Sequence, residues 1–303
     1  MAGSDSKFGI VLAGGGAKGA YQVGALGYLA ELGIEPEMIA GASIGALNGA
    51  VISSRRPFSE GVRFLRQLWE QIGQESILRL LPTRQSLLDP APLERLLSVA
   101  INQQEIQRGI ELWITAFPSV NFTRLIHSAP IDLLAAMAGR QAHWVRAQDY
   151  ARDRESLLNL LLASAAIPLA FPQREVNGQG YVDGGLGDNV PLGALAAQGC
   201  THAIVIHLSQ GTVWNRHLFP EQTVIEIRPE NNLDDCDLPL LGTLAGLLDF
   251  SAQRLAELRR RGYEDARRCL TQLRQSIGPV PGQRQSHERL CEETRKLRDD
   301  QPL

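Results

Sequence analysis

The distribution of apolar residues along the chain predicts short buried strands that alternate with helices. Two apolar runs, residues 8–13 and 38–40, are each followed directly by glycine, which is typical of buried parallel strands that end in tight turns. A helical pattern follows each run, over residues 19–32 and 44–53. A strand–turn–helix unit that occurs twice indicates an α/β fold with a parallel sheet.

The pattern continues through most of the chain and then becomes polar. Further helices are predicted at 58–72, 157–166, 190–198 and 249–277, and further strands at 112–117, 203–208 and 223–227. Residues 279–303 are polar and are expected to fray as a tail. We therefore expect one domain, residues 1–278, with its motif-bearing part at 7–229 and its last helix at 249–277.

Composition and charge narrow the class of protein. The chain has 303 residues, 44% of them hydrophobic, and a net charge of −3, which describes an ordinary globular protein and not a nucleic-acid binder. No stretch approaches 18 uninterrupted apolar residues, so no membrane-spanning helix is expected. The four cysteines form no C-x-x-C pair, and the N-terminus lacks a signal-peptide pattern. The expectation is a reduced, cytoplasmic protein, with peripheral contact to a membrane as an option.

The first chemical motif is Gly14-Gly15-Gly16-Ala17-Lys18-Gly19, which follows a predicted strand and opens a helix. Its spacing matches the dinucleotide fingerprint, with Glu35 and Glu37 as ribose partners. A row of backbone N–H groups at a helix start also binds other anions, including an oxyanion that forms during a reaction. A purely structural turn is the third interpretation, and the motif alone leaves all three open.

The second motif is Gly41-Ala42-Ser43-Ile44-Gly45, again between a strand and a helix. Flanking glycines permit the sharp turn that holds a nucleophilic serine hydroxyl out of a sheet. The following helix directs the positive end of its dipole at the same oxygen. The alternative is a serine that only caps the helix.

The third motif is Asp183-Gly184-Gly185, which by itself is typical of a simple turn. Its neighbours change that interpretation. The stretch Ser164-Ala-Ala-Ile-Pro168 lies before it in the chain, and Asn189-Val-Pro191 follows it.

Taken in order, these motifs resemble the patatin-like phospholipase family of lipid acyl hydrolases. The resemblance covers the chain from Gly9 to about residue 191. It implies a three-layer α/β/α fold with a central, mostly parallel sheet, and a Ser–Asp dyad with neither a cofactor nor a catalytic metal. Carried over to this chain, Ser43 is the nucleophile and Asp183 its base. The oxyanion loop is then formed by Gly14, Gly15, Gly16 and Gly19.

A Ser–His–Asp triad is the rival arrangement, and the chain order allows four histidines to complete it. These are His202, His207, His217 and His287. None lies in a recognisable motif, so each is expected to be a surface or structurally satisfied histidine.

Access for a lipid is predicted from two apolar segments and one basic helix. Residues 77–82 and 125–137 are candidates for a lid or an acyl channel, with ordinary core packing as the alternative. The helix at 249–277 has an arginine-rich face that suits an anionic bilayer, or that is simply solvated.

These observations predict an enzyme that hydrolyses carboxylic esters of glycerophospholipids or lysophospholipids, which makes such a lipid its expected partner. The alternatives are a general carboxylesterase, a dinucleotide-binding protein that uses Gly14 to Gly19, and a catalytically silent regulator.

Overall fold

The computed structural model describes residues 6–74, 88–119, 140–168, 170–210, 214–233 and 246–277. Its strands are β1 Lys7–Leu12, β2 Met38–Ala42, β3 Glu111–Pro118, β4 His143–Arg146, β5 Arg174–Val176, β6 Gln179–Asp183, β7 Cys200–Ile206 and β8 Thr223–Ile227. Its helices are α1 Gly19–Glu31, α2 Ile44–Ser53, α3 Phe58–Gln74, α4 Ala91–Ala100, α5 Gln103–Arg108, α6 Ala147–Tyr150, α7 Arg154–Ser164, α8 Leu192–Ala196 and α9 Ala252–Ile277.

The strands form one mixed, mostly parallel sheet in the order β5-β6-β3-β2-β1-β7-β8, and β4 also pairs with β3. Strands β3, β2, β1, β7 and β8 pair parallel with one another in that order, whereas β4 and β6 pair antiparallel with β3, and β5 pairs antiparallel with β6. The α/β class and the mostly parallel sheet predicted from the sequence are confirmed.

Three antiparallel strands, β4, β5 and β6, are absent from the sequence prediction. Each has three to five residues, and their largely polar sequences, HWVR, REV and QGYVD, contain no apolar run. Their pairing is determined by β3, which bonds β4 along its middle and β6 at its end. Asp183 consequently ends a strand of the sheet, where the sequence indicated only a turn.

Helices lie on both faces of the sheet. On one face, a Cβ added at Gly49 of α2 would lie 3.0 Å from Leu112 and 3.1 Å from Ile39. Gly9 pairs with the residue that precedes Ile39, so its position points to the opposite face. There a Cβ at Gly9 would lie 2.6 Å from Leu195 of α8. The sheet therefore lies between helical layers, as the three-layer expectation requires.

Local capping explains where two helices differ from their predicted bounds. Helix α7 begins at Arg154, earlier than predicted, because the Asp153 side chain accepts a hydrogen bond from Ser156 N and caps it. Helix α8 begins only at Leu192, because Pro191 stands at its N-cap and disfavours helical geometry in the residue before it.

The chain forms two compact units, Met1–Ala266 and Arg267–Leu303, and the sheet lies in the first. Described residues 267–277 of the second unit continue α9. The domain boundary predicted at residue 278 stays a prediction.

The first part of α9 packs closely on α1 at a glycine crossing. A Cβ at Gly24 would overlap the carbonyl oxygen of Arg259, and a Cβ at Gly262 would overlap that of Tyr21. The Tyr21 hydroxyl donates to Asp265 Oδ2 at 3.0 Å, which ties the two helices together beside the crossing. Glycine is required here because the two backbones touch.

Several arginines of the predicted basic face are engaged within the protein. Arg259 lies 3.4 Å from the Glu70 carboxylate of α3, and Arg261 donates to the Asn231 carbonyl at 2.7 Å. Arg260, by contrast, is exposed and pairs along the helix with Glu264. No described helix is long and apolar enough to cross a bilayer. Binding of α9 to an anionic membrane stays a prediction.

The glycine crossing predicts opposite effects for two substitutions in one helix. Gly24→Ala should lower the free energy of unfolding by about 2 kcal/mol, since the added methyl forces α1 and α9 apart. Gly27→Ala, whose methyl would meet nothing within 4 Å, should raise it by roughly 0.5–1 kcal/mol through helix propensity. Urea denaturation followed by circular dichroism measures both. A stabilising Gly24→Ala would contradict the close crossing.

Candidate active site

Ser43 occupies a strained turn between β2 and α2. Its φ of 52° and ψ of −125° lie in a region that side-chain-bearing residues rarely adopt. The turn is possible because of the glycines on either side. A Cβ at Gly41 would lie 2.5 Å from Ala46 N, and one at Gly45 would overlap the carbonyl oxygen of Leu12. The G-x-S-x-G spacing is thus a requirement of backbone packing, and it places the hydroxyl at the carboxyl end of the sheet.

The structure brings Ser43 and Asp183 into direct contact, although 140 residues separate them. Ser43 Oγ donates a hydrogen bond to Asp183 Oδ2 at 2.5 Å, and both side chains are 6% exposed. The second carboxylate oxygen, Oδ1, accepts from Gly185 N at 2.8 Å. No imidazole lies between the hydroxyl and the carboxylate.

Burial raises the pKa of Asp183 from its ordinary value of 3.8 to about 6. The hydrogen bonds from Ser43 and from Gly185 N act in the opposite direction, because they stabilise the ionised form. The carboxylate is therefore ionised at neutral pH while its basicity is higher than that of an exposed aspartate. Such a group can take a proton from a hydroxyl that it already contacts.

The glycine-rich loop follows β1 and turns through a short 3-10 helix, Gly16–Lys18, into α1. Gly16 has a φ of 55°, and it borders the same cleft as Ser43. In the part of the chain that the structure describes, the N–H groups of Gly15 and Gly16 have no acceptor. Both glycines are half-buried, and their N–H groups are therefore the candidate donors to an oxygen atom of a ligand.

Asn189 holds the first glycine of this loop. Its Oδ1 accepts from Gly14 N at 3.1 Å, and its Nδ2 donates to the Gly14 carbonyl at 3.3 Å. Asn189 also packs on Gly185, where a Cβ would lie 2.6 Å from the amide oxygen. One side chain thus joins the glycine loop to the turn that follows Asp183. The sequence places Asn189 in a motif but does not indicate this role.

Two further side-chain amides, those of Gln22 and Asn48, hold the two ends of the glycine-rich loop. Gln22 Nε2 donates to the Ala13 carbonyl at 2.7 Å, and Asn48 Nδ2 donates to the Gly19 carbonyl at 3.2 Å. Asn48 also bonds Gln22 and accepts from Trp69 Nε1, so the amides form one buried network. Sequence reasoning missed both residues. The available signal was an amide within an otherwise small and apolar helix.

An apolar cleft opens at Ser43. Its walls come from α2, α3, α4, the segment after α7 and residues 247–250. The residues that line it include Ile44, Leu47, Val51, Leu97, Ala165 and Ile167. The segments predicted as a lid or channel, 77–82 and 125–137, lie outside the described residues.

The candidate histidines that the structure describes contact residues other than Ser43. His202 lies 2.9 Å from the Thr201 hydroxyl and His217 is exposed on a short 3-10 turn. His207 is fully buried, and its Nε2 lies 3.0 Å from Glu226 Oε2. Burial lowers the pKa of His207 to about 4, so it stays neutral. His287 lies outside the described residues.

The two glutamates proposed as ribose partners have other roles. Glu37 accepts from Phe8 N at the start of β1, the end opposite to the glycine loop, and Glu35 accepts from Phe58 N. The dinucleotide interpretation therefore lacks its acidic partner at the loop. Within the described ranges, no three His, Cys, Asp or Glu side chains gather as metal ligands would.

Comparisons with known proteins agree with the motif order. Residues 10–196 match the model of the family described as patatin-like phospholipase. A patatin-like phospholipase domain-containing protein 7 from Rattus norvegicus is 28% identical over 65% of this chain, and a neuropathy target esterase from Drosophila melanogaster is 27% identical over 66%. The chain spans 13% of the length of each. The crystal structure of VipD from Legionella pneumophila superposes with a TM-score of 0.45 at 12% identity, over 88% of this chain and 67% of that one.

The raised pKa of Asp183 predicts a pH-dependent cost to stability. The folded protein binds this proton more tightly than the unfolded chain, so the contribution is favourable below about pH 4 and is lost as the pH rises through about 6. Asp183→Asn removes the buried charge and should raise the free energy of unfolding at pH 8 by about 2 kcal/mol, with little difference at pH 4.

Urea denaturation at the two pH values measures this effect. Asp153→Asn is the control, because the Asp153 pKa is lowered by its hydrogen bonds with Ser156 and the residue is exposed. It should not stabilise the protein at pH 8. An Asp183→Asn variant that is less stable than the wild type at pH 8 would contradict the cost assigned to the buried carboxylate.

Proposed function

The chain belongs to the patatin-like phospholipase family, and we propose that it is a lipid acyl hydrolase that cleaves carboxylic ester bonds of glycerophospholipids or lysophospholipids. One observation carries this proposal. The Ser43 hydroxyl lies 2.5 Å from the Asp183 carboxylate where an apolar cleft begins. A nucleophile, its base and a site for an acyl chain therefore meet at one point.

The proposed reaction begins when Ser43 Oγ attacks the ester carbonyl carbon and its proton passes to Asp183. The carbonyl electron pair moves onto oxygen, and the N–H groups of Gly15 and Gly16 bind the oxyanion, each donor lowering the barrier by about 3–4 kcal/mol. When the C=O bond re-forms, the ester C–O bond breaks and the leaving alcohol takes the proton from Asp183. An acyl group then remains on Ser43.

Water completes the cycle by the same route. Asp183 takes a proton from a water molecule as its oxygen attacks the acyl carbon, and the second oxyanion occupies the same glycine loop. Collapse of this intermediate breaks the bond to Ser43 Oγ, which recovers the proton from Asp183. The products are a fatty acid and free enzyme. No imidazole is needed at any step.

The cleft supports a lipid ester as the substrate. Leu47 and Val51 follow Ser43 along α2 at intervals of four residues, so the three lie on one side of the helix. At 1.5 Å per residue, Val51 is about 12 Å from Ser43 along the helix axis. Each methylene of an acyl chain buried there contributes about 0.8 kcal/mol to binding. This preference for a long chain distinguishes the proposal from a general carboxylesterase for small esters.

Dinucleotide binding and a silent regulatory role fit the site less well than hydrolysis does. A dinucleotide-binding protein would leave the Ser43–Asp183 contact without a use, and its acidic ribose partner is missing from the loop. A catalytically silent regulator would have no need for a serine in a strained conformation against a buried carboxylate.

Removal of either dyad member should abolish hydrolysis while the fold remains. Ser43→Ala and Asp183→Asn should each lower kcat by at least about 10⁴-fold, and the double variant should be no worse, because the two residues act as a unit. Phospholipid and lysophospholipid hydrolysis, followed by mass spectrometry of the products, measures this. A fluorophosphonate probe should label Ser43 in the wild type.

Histidine variants separate the dyad from a triad. His202→Gln, His207→Asn, His217→Gln and His287→Gln should each retain most of the activity. A correctly folded histidine variant as inactive as Ser43→Ala would show that a triad, and not a Ser–Asp dyad, performs the reaction.

Substitutions along α2 should shorten the preferred acyl chain, and the effect should be larger the closer the substituted residue lies to Ser43. Val51→Phe should lower kcat/KM for long-chain p-nitrophenyl esters by about tenfold, the loss expected for roughly two displaced methylenes. Leu47→Phe, one helical turn closer to the nucleophile, should also affect shorter chains. Val51→Phe should hydrolyse the short ester p-nitrophenyl butyrate as fast as the wild type does.

The matched control is Val99→Phe, since Val99 is 84% exposed and is not among the residues that line the cleft. This variant should keep the wild-type profile for every chain length. Equal losses for all chain lengths in Val51→Phe would contradict an acyl chain that runs along α2.

A further inference from the structure

We propose that residues 164–166, directly at the end of α7, form a clamp that sets the distance between Ser43 and Asp183, with Ser164 as its positioning residue. The proposal rests on the proposed function for its catalytic meaning, although its geometry does not. It assigns a role to the Ser-Ala-Ala-Ile-Pro motif that begins at Ser164, which the reaction itself leaves unexplained.

The first half of the clamp holds Ser43. Ser164 is fully buried, and its Oγ accepts a hydrogen bond from Ser43 N at 3.0 Å. The same oxygen donates to the Thr115 carbonyl of β3 at 2.7 Å. A hydroxyl has one proton, so its donation to Thr115 leaves its lone pairs free to face Ser43 N. The nucleophile's backbone is thereby attached to β3 through one side chain.

The second half of the clamp holds Asp183. Its N–H donates to the Ala166 carbonyl at 2.9 Å, two residues after Ser164. Gly184 packs against the Thr115 carbonyl so closely that a Cβ there would overlap it. Both dyad residues are therefore fixed to the same two pieces of backbone, residues 164–166 and the end of β3.

The clamp provides a hydrogen-bond acceptor for the backbone N–H group of Ser43 in the strained turn. Because Ser43 precedes α2 in a non-helical conformation, its N–H has no partner within the helix, and without Ser164 it would be a buried donor left unsatisfied. Its bond to Ser164 also commits this N–H, so oxyanion donors must come from elsewhere. The N–H groups of Gly15 and Gly16, which have no acceptor among the described residues, meet that requirement.

The same segment forms part of the substrate cleft. Ala165 and Ile167 line it, on either side of the residue whose carbonyl holds Asp183. The wall of the cleft and the spacing of the dyad are thus set by one short stretch of backbone. Loss of the Ser164 hydroxyl should affect the dyad directly while the apolar wall remains.

The test uses Ser164→Ala with Ser53→Ala as its matched control. Ser53 is equally buried, but its hydroxyl has no hydrogen-bond partner among the described residues. Ser164→Ala should lower kcat by roughly 10–100-fold with KM nearly unchanged, whereas Ser53→Ala should change neither. Ser164→Cys keeps the shape with a weaker hydrogen-bonding group, so it should fall between wild type and Ser164→Ala. If Ser164→Ala does not fold, Ser164→Cys is the variant that tests the clamp.

A carboxyl ¹³C titration of Asp183 provides a readout that is independent of catalysis. The resonance is identified by its absence in Asp183→Asn. A loosened Ser43 no longer stabilises the ionised carboxylate, so the Asp183 pKa should rise by about one unit in Ser164→Ala and less in Ser164→Cys. It should not move in Ser53→Ala. The acid limb of the kcat/KM profile should move with it.

The outcomes separate the two proposals. A raised Asp183 pKa in a protein that hydrolyses no lipid ester would support the clamp and overturn the proposed function. Wild-type hydrolysis together with an unmoved pKa and an unchanged kcat in folded Ser164→Ala or Ser164→Cys would overturn the clamp. An equal loss of kcat in Ser53→Ala would also overturn it, because any buried serine would then have the same effect.

Discussion

The site depends on keeping one carboxylate ionised where little water reaches it. Burial of Asp183 favours the neutral acid and raises its pKa to about 6. Only hydrogen bonds oppose this, one from the Ser43 hydroxyl and one from Gly185 N. The surrounding backbone must therefore present its donors at fixed positions. A buried base of this kind gains proton affinity at a cost in stability, which is the usual compromise at a functional site.

The backbone holds these donors in place because several of its segments approach one another closely at one edge of the sheet. The carboxyl ends of β1 and β2 and the end of β6 bring the glycine loop, Ser43 and Asp183 together. Side chains at Gly41, Gly45 or Gly184 would collide with neighbouring backbone. Glycine in these motifs therefore serves two purposes, because it permits the strained turn and it lets strands, helix and loop meet.

In the proposed reaction, helix α2 connects the chemistry with the binding of the acyl chain. Its N-terminus presents Ser43, while its later turns place Leu47 and Val51 in the cleft. Asn48, on the same helix, holds the glycine loop through the Gly19 carbonyl. One rigid element thus contributes the nucleophile, part of the cleft wall and a support for the loop. Rigidity of this kind favours a fixed relation between the reacting carbonyl and its acyl chain.

Local patterns in the sequence determined the strand–turn–helix units and the turn at Ser43, because each of these signals lies within a short stretch of chain. The family was indicated by the order of several such motifs along the chain. Strands β4, β5 and β6 were not predictable, since short polar strands form only when β3 offers a partner. The contact of Ser43 with Asp183 was expected only from the family resemblance. The roles of Asn189 and Ser164 were decided by the tertiary structure alone, because a hydrogen bond across more than 100 residues has no local signature.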